Sequence, residues 1–350
     1  MSLGFEKSPL EHAVYKRYTG KSKLLIGVYV DDLIITGSDG KEVDKFKKQM
    51  LELFQMSDLG LLSYYLGIEV SQTPSGITMS QTTYAKKILE RTGMSDCNPC
   101  QAPMEPRTKL SKVSEEPPVE ETYYRSIVGS LRYLVNTRPD IAYSVGILSR
   151  FMEKPTTQHM AAMKQILRYI RGTLDMGCMY TKKEETAKLV GYSDSDLAGD
   201  IDDRKSTTGA VYFYGENLVT WVSQKQKVVA LSSCEAEYIA VATTACLGTW
   251  LSRLLADLIK GKEEAVVLRI DNKSAISLCK NPVYHDRSKH IDTRYHYIRE
   301  SVDNGRIIVE HVASHEQLAD ILTKPLGRVK FTEMRSKIGV QTVKRREEQD

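Results

Sequence analysis

Four acidic residues in the C-terminal half of the chain, Asp194, Glu237, Asp271 and Asp320, stand where a strand or helix would otherwise be apolar. Asp194 closes the run Leu189-Val190-Gly191-Tyr192-Ser193-Asp194, and Asp271 closes Val266-Val267-Leu268-Arg269-Ile270-Asp271; both runs are strand-like in their β-branched and aromatic content. Glu237 falls in a helix opened by Ser232, and Asp320 in the short helical pattern Gln317-Leu318-Ala319-Asp320-Ile321-Leu322. Taken singly, each acid is an ordinary cap or turn residue. As a set placed at strand and helix ends, they can meet at one hard-cation site. Four crowded carboxylates repel one another, and divalent cations are the natural compensation. Two Mg²⁺ or Mn²⁺ ions ~3.5–4 Å apart would activate a water and stabilise a departing 3′ oxygen, the needs of phosphodiester hydrolysis. Oxygen-only ligation disfavours zinc.

Neighbouring acids compete for these roles. Ser232 and Glu235 fit a capping box, which gives Glu235 a structural task. Glu237, two residues on, is rotated by roughly 200° at 3.6 residues per turn and is the preferred ligand. Asp194 is preferred to Asp196 because it ends the strand, while Asp196, Asp200, Asp202 and Asp203 read as a polar loop.

The elements that must position these groups are legible in outline. Residues 23–30 and 33–36 read as two strands joined at Asp31-Asp32, an acidic hairpin tip. Residues 43–54 have helical spacing, 64–70 and 76–79 form a second hairpin pattern around Pro74-Ser75-Gly76, and 83–92 a short helix closed by Gly93. Residues 98–121, rich in Pro, Glu, Lys and Ser, mark a linker or an extended strap. Helical patterns over 124–135 and 139–151 break at Arg138-Pro139, where proline suits the first helical position. In the next helix Met163, Ile166, Leu167, Ile170 and Leu174 share one side, while Lys164, Arg168 and Arg171 line the other. Such a stripe is either a phosphate track or an ordinary solvated face. From residue 189 to 326 the order is strand, strand, strand, helix, strand, helix, basic helical stretch, strand and helix, an α+β or α/β unit.

At 350 residues and 41% hydrophobic content the chain has material for two or three domains, at ~100–200 residues each. A net charge of +4 makes any nucleic-acid surface a local stripe instead of a global field. Six scattered cysteines, with a single Cys97-Asn98-Pro99-Cys100 pair, point to free thiols in a reducing compartment and not to a structural zinc. No apolar run reaching the ~18 residues of a membrane span is evident, and the N-terminus lacks a signal pattern, so the reading is a soluble, untargeted protein with no membrane partner.

Several motifs together carry a resemblance. Tyr192-Ser193-Asp194, Arg204-Lys205-Ser206-Thr207-Thr208-Gly209, Ser232-Ser233-Cys234-Glu235-Ala236-Glu237-Tyr238, Asp271-Asn272, Lys289-His290-Ile291-Asp292 and Ala319-Asp320-Ile321-Leu322-Thr323-Lys324 resemble the ribonuclease H region of copia-type retrotransposon Pol polyproteins. Tyr29-Val30-Asp31-Asp32 is similar to the reverse transcriptase palm motif, followed by the family-like Leu59-Gly60, Tyr65-Leu66-Gly67-Ile68 and Arg125-Ser126-Ile127-Val128-Gly129-Ser130-Leu131.

The resemblance implies an α+β / α/β multidomain chain with a partial palm and thumb over 1–97, a linker over 98–121 and a helical connection over 122–186. A ribonuclease H-like mixed sheet flanked by helices would occupy 187–328, and a polar, disordered tail 329–350. It implies metal-dependent hydrolysis of the RNA strand of RNA–DNA hybrids, with Asp194, Glu237, Asp271 and Asp320 as ligands and Lys164, Arg168, Arg171, Arg204 and Lys205 along the nucleic acid. Asp31 and Asp32 would be metal ligands of an incomplete polymerase site, because only 28 residues precede Tyr29 and the family's upstream aspartate and fingers are not among them. DNA synthesis is therefore not expected of this chain alone. Template-primer and other Pol segments are further expected partners. Many ribonucleases H carry a histidine before the last aspartate; His311 and His315 are both near Asp320, and neither has the spacing to be assigned. His290 and His296 are expected to pack or to meet phosphate. Two rival readings remain: an inactive nucleic-acid-binding remnant, and a subunit that completes a polymerase when an upstream segment is supplied.

Overall fold

The computed structural model describes residues 3–182, 187–280 and 292–343, and only the backbone of 292–296. The fold is mixed α and β, with three sheets among the described residues. Its contacts divide the chain into two compact units, Met1–Ser63 with Thr249–Ala265, and Tyr64–Gly248 with Val266–Asp350.

The first unit is an antiparallel sheet of β1 (Glu6–Lys7), β2 (Val14–Thr19), β3 (Ser22–Tyr29) and β4 (Asp32–Gly37), covered by α1 (Gly40–Leu53). Leu24, Ile26 and Phe46 form its core, and the N-cap of α1 is Asp39, whose carboxylate accepts the Lys41 amide. Asp257 ties residues 249–265 to the sheet: it accepts from Ser8 Oγ at 2.8 Å and pairs with Lys16, while Tyr18 donates to its carbonyl at 2.9 Å.

In the second unit an all-antiparallel sheet runs β14-β8-β7-β6-β5, built from β5 (Tyr64–Tyr65), β6 (Ile68–Thr73), β7 (Gly76–Ser80), β8 (Met176–Tyr180) and β14 (Val340–Thr342). The helices α2 (Thr82–Arg91), α3 (Glu121–Leu134), α4 (Ala142–Leu148) and α5 (Thr157–Arg171) pack on one another, α4 also meets the strand at Asn217–Lys225, and their apolar faces form one core that takes in Cys178 and Val340 of this sheet. Residues 98–120 contain no helix or strand, and bury Ala102, Met104 and Leu110 within this unit as a packed strap that runs into α3.

The other sheet of this unit runs β11-β10-β9-β12-β13: β9 (Leu189–Ser195), β10 (Thr207–Tyr214) and β11 (Asn217–Lys225) form an antiparallel meander. β12 (Val266–Ile270) and β13 (Ile307–His311) add in parallel beyond β9. α6 (Ser233–Ile259) follows the meander, α7 (Lys273–Lys280) and α8 (Asp292–Asp303) connect β12 to β13, and α9 (Arg328–Lys337) leads to β14. The parallel β9–β12 pairing sets the C-terminal ends of both strands side by side, which is where Asp194 and Asp271 sit.

Three expectations are corrected. Residues 329–343 are not a disordered tail, because Phe331, Met334 and Ile338 recur at helical spacing and are buried, and the buried Val340 opens β14, which pairs with β8. Residues 122–186 are not wholly helical, since β8 pairs with β7 and β14 in a sheet that also takes in residues 64–80. An 18-residue window of α6 with hydropathy 1.4 is long and apolar enough to cross a membrane by length and composition, although half of it is buried inside the protein. Its small residues, Ala236, Ala240, Ala242 and Ala245, hide this in the sequence and are packed as core.

Candidate metal centre

Asp194, Glu237 and Asp271 converge: one carboxylate oxygen from each lies within 4.8 Å of the others, and among the described residues they form the one such group. Asp194 is 2% exposed and Glu237 6% exposed, so two of the three carboxylates are almost wholly removed from bulk water. Burial pushes the Glu237 carboxyl up to about 9, reinforced by Asp194 and then Asp271, while a 3.3 Å bond from the Ser195 amide to Oε1 opposes this. Burial likewise pushes Asp194 up to about 6, with Lys324 opposing and Asp320 adding to the rise. Glu237 Oε2 is buried without a hydrogen-bond partner. An orphaned carboxylate oxygen among two other carboxylates fits a hard divalent cation and is costly otherwise.

Glu237 reaches this position because of the helix start. Ser232 accepts the Glu235 amide at 3.1 Å, and the Glu235 carboxylate folds back onto the Leu231 amide at 2.8 Å, so Glu235 is used as a cap and Glu237 faces the sheet. Gln226, buried just past β11, donates to Ser195 Oγ, Thr208 Oγ1 and the carbonyl of Ala236, joining β9, β10 and α6.

Asp320 sits in a 3₁₀ turn, Leu318–Leu322, that docks on β10 at Gly209, the register partner of Asp194. A Cβ at Gly209 would lie 2.5 Å from Thr323 Cγ2 and 2.9 Å from the Ala319 carbonyl oxygen, so only glycine admits the turn so closely. Gln317 fixes it further, donating to the Ser193 carbonyl at 2.9 Å and accepting the Ala319 amide at 3.2 Å. Thr323 donates to the Asp194 carboxylate. Asp320 itself is buried and neutralised by two cations: Lys324 lies 2.7 Å from Oδ1 and Lys330 2.5 Å from Oδ2, with Lys324 also 3.6 Å from Asp194 Oδ2. Burial alone would depress the Lys324 ammonium; Asp194 and Asp320 outweigh it and push it up. Lys324, Lys330, Gln226, Gln317 and Gly209 were not singled out in the sequence. The motif Ala319-Asp320-Ile321-Leu322-Thr323-Lys324 contained the signal for Lys324, an i, i+4 cation after the acid.

The loop between β9 and β10 is more than polar. Asp200 is buried, accepts the amides of Asp202 and Asp203, and pairs with Lys225 at 2.6 Å and Arg150 at 3.1 Å. Burial would raise it, but Lys225, the Asp203 amide and Arg150 hold it down to about 2. Asp196 is pushed up to about 6 by burial although it accepts the Thr207 amide.

The expected basic track falls on two elements. Lys164, Arg168 and Arg171 are exposed on α5, where Arg168 Nε donates to the Asn98 carbonyl at 2.7 Å and Arg171 Nε to that of Ser95 at 2.6 Å. Arg168 therefore pins the start of the strap and Arg171 the turn before it, while both side chains also face solvent. Arg204 is exposed at φ 61° and Lys205 half-buried beside Asp203, both in the β9–β10 loop. In the first unit, Tyr29 pairs with Asp32, leaving Val30 (φ 54°) and Asp31 as the exposed turn. Among the described residues no third acid, histidine or cysteine joins Asp31 and Asp32. His311 and His315 are exposed. His290, the Lys289-His290-Ile291-Asp292 motif up to Ile291, and the side chains of Asp292 and His296 lie outside the described residues.

Comparison with known proteins gives the class first: residues 1–106 match the family described as reverse transcriptase (RNA-dependent DNA polymerase). The chain is 44% identical over 343 residues, 98% of its length, to the retrovirus-related Pol polyprotein from transposon RE1 of Arabidopsis thaliana, of which it spans 23%. It is 34% identical over 245 residues to a transposon Ty5-1 protein of Saccharomyces cerevisiae, covering 69% of this chain and 79% of that one. The chain belongs to the copia-type retrotransposon Pol polyproteins. Among solved structures, the foamy viral protease-reverse transcriptase dRH in complex with double-stranded DNA is similar over 82% of this chain and 46% of its own, at 15% identity and a TM-score of 0.49.

Proposed function

We propose that the second unit contains a ribonuclease H-type centre that hydrolyses the RNA strand of RNA–DNA hybrids. The observation that carries this reading is the convergence of Asp194, Glu237 and Asp271 at the ends of β9, α6 and β12 around an unpartnered Glu237 oxygen. These three would hold a divalent cation, Mg²⁺ or Mn²⁺, with Asp320 beside them for a second. A cation bound there supplies an activated water and charge stabilisation for the leaving 3′ oxygen. The protein's own part is placement: Gln226 and the Ser232–Glu235 cap orient Glu237, and Gln317 and Gly209 bring the Asp320 turn to β9 and β10. Selectivity for hybrid would rest on the RNA 2′-hydroxyls across a wide minor groove, with Lys164, Arg204 and Lys205, and the exposed faces of Arg168 and Arg171, placing the backbones. The pair Asp31 and Asp32 would belong to a polymerase site that needs ligands beyond those gathered here.

The test is cleavage of a labelled RNA–DNA hybrid by the purified chain in Mg²⁺, with a DNA duplex and Asp194→Asn alongside. Cutting of the RNA strand only, reduced by about 100-fold or more in the variant, is the expected result, since losing a ligand forfeits several kcal/mol of charge stabilisation. Hybrid binding without cutting would replace this reading with that of an inactive binding remnant.

A further inference from the structure

We propose that Lys324, assisted by Lys330, occupies the place of a second cation, so that the nucleic-acid-free centre takes up one divalent ion and not two. The inference rests on the metal-site reading above and concerns how that site is filled. The four carboxylates fall into two groups. Asp194, Glu237 and Asp271 have ligand oxygens within 4.8 Å of one another and leave Glu237 Oε2 unpaired. Asp320 is different: its Oδ1 is ion-paired with Lys324 at 2.7 Å, without a hydrogen bond, and its Oδ2 accepts from Lys330 at 2.5 Å, whereas among the described residues no ammonium lies on Glu237 Oε2. Lys324 also reaches toward the first group, 3.6 Å from Asp194 Oδ2, and so lies between the two.

Charge balance gives this arrangement its meaning. Four ionised carboxylates with two ammonium groups leave a deficit that one divalent cation fills and two would overfill. A second ion near Asp320 would have to enter against Lys324 at short range in a site with little water, where like charges repel strongly. Lys324 is partly exposed and hangs on a flexible stem, so it can leave when an anionic oxygen of a nucleic-acid backbone offers it another partner. Lys324 is thus a positioning residue that makes complete ion loading depend on substrate.

The test is a Mn²⁺ titration of the full chain without nucleic acid, reading free ion by electron paramagnetic resonance. The parent chain and Lys324→Arg should bind one ion tightly. Lys324→Met should bind a second with affinity raised about tenfold or more, and Lys330→Met should show a smaller rise in the same direction. Circular dichroism melts confirm that each variant is folded. Two ions of like affinity in the parent chain, or no change in the second ion in Lys324→Met and Lys330→Met, would overturn the inference while leaving the carboxylate site standing. Asp194→Asn separates the cases: it should abolish the first ion, and if the parent chain binds no ion at all, the metal-site reading fails and the inference with it.

Discussion

A proton on Glu237 is the protein's own substitute for a cation. With the carboxyl raised to about 9 against 4.5 for a free one, the folded state keeps a proton that the unfolded state has released across that interval. The stabilisation from this group is full below the free value and is lost as pH rises toward about 9. The melting temperature of the metal-free chain should therefore fall between pH 5 and pH 8, roughly the interval over which the two states differ in bound protons. Glu237→Gln should flatten that slope, as should saturating Mg²⁺, and calorimetry in two buffers of different ionisation enthalpy should show a proton released on ion binding. Gln317 is a second single-residue test. It is fully buried and bonded at both ends of its amide, so Gln317→Leu leaves the Ser193 carbonyl and the Ala319 amide without those partners. The expected cost is about 1–3 kcal/mol in urea unfolding.

At the level of elements, the parts built from local signals were legible in the sequence. The hairpin around Pro74-Ser75-Gly76 forms β6 and β7, the helix expected to close at Gly93 ends with that residue at φ 65°, and Arg138-Pro139 opens a 3₁₀ turn with proline at its first position. Strand-end placement for Asp194 and Asp271 followed from runs rich in β-branched and aromatic residues. What escaped depends on partners far away in sequence. Met176-Gly177-Cys178-Met179-Tyr180 has no β-branched residue, and becomes β8 only because β7 and β14 flank it. α9 is polar in composition, and its burial is decided by the core it meets: Phe331 packs edge-to-face on Tyr169 at 5.5 Å. Phe331→Ala should lower the unfolding free energy by about 3–5 kcal/mol, measurable by denaturant titration. For the site, carboxylate identity was readable, but the lysines over Asp320 and the glutamines behind the ligands required the geometry, because amides and ammonium groups at single positions carry no periodic signal.

Across the whole second unit, one buried network links segments far apart in the chain. Arg138 grips Asp140 through two bonds of 2.9 and 2.8 Å and reaches the Thr173 carbonyl at 2.9 Å; Tyr169 donates to Asp140 at 2.6 Å, and Arg335 to the Tyr169 hydroxyl at 2.9 Å. Both members of the ion pair are almost wholly buried, so removing one strands the other. Asp140→Ala should cost about 3–5 kcal/mol and abolish cooperative unfolding of the unit before it affects any ligand directly. The network also places α9 so that the chain can enter β14, three residues that pair with β8. That short strand serves as a seal. Cutting the chain after Leu326 would uncover the backbone donors and acceptors of β8 together with apolar surface that Phe331, Met334 and Ile338 now cover, and the truncated protein should join edge to edge into aggregates.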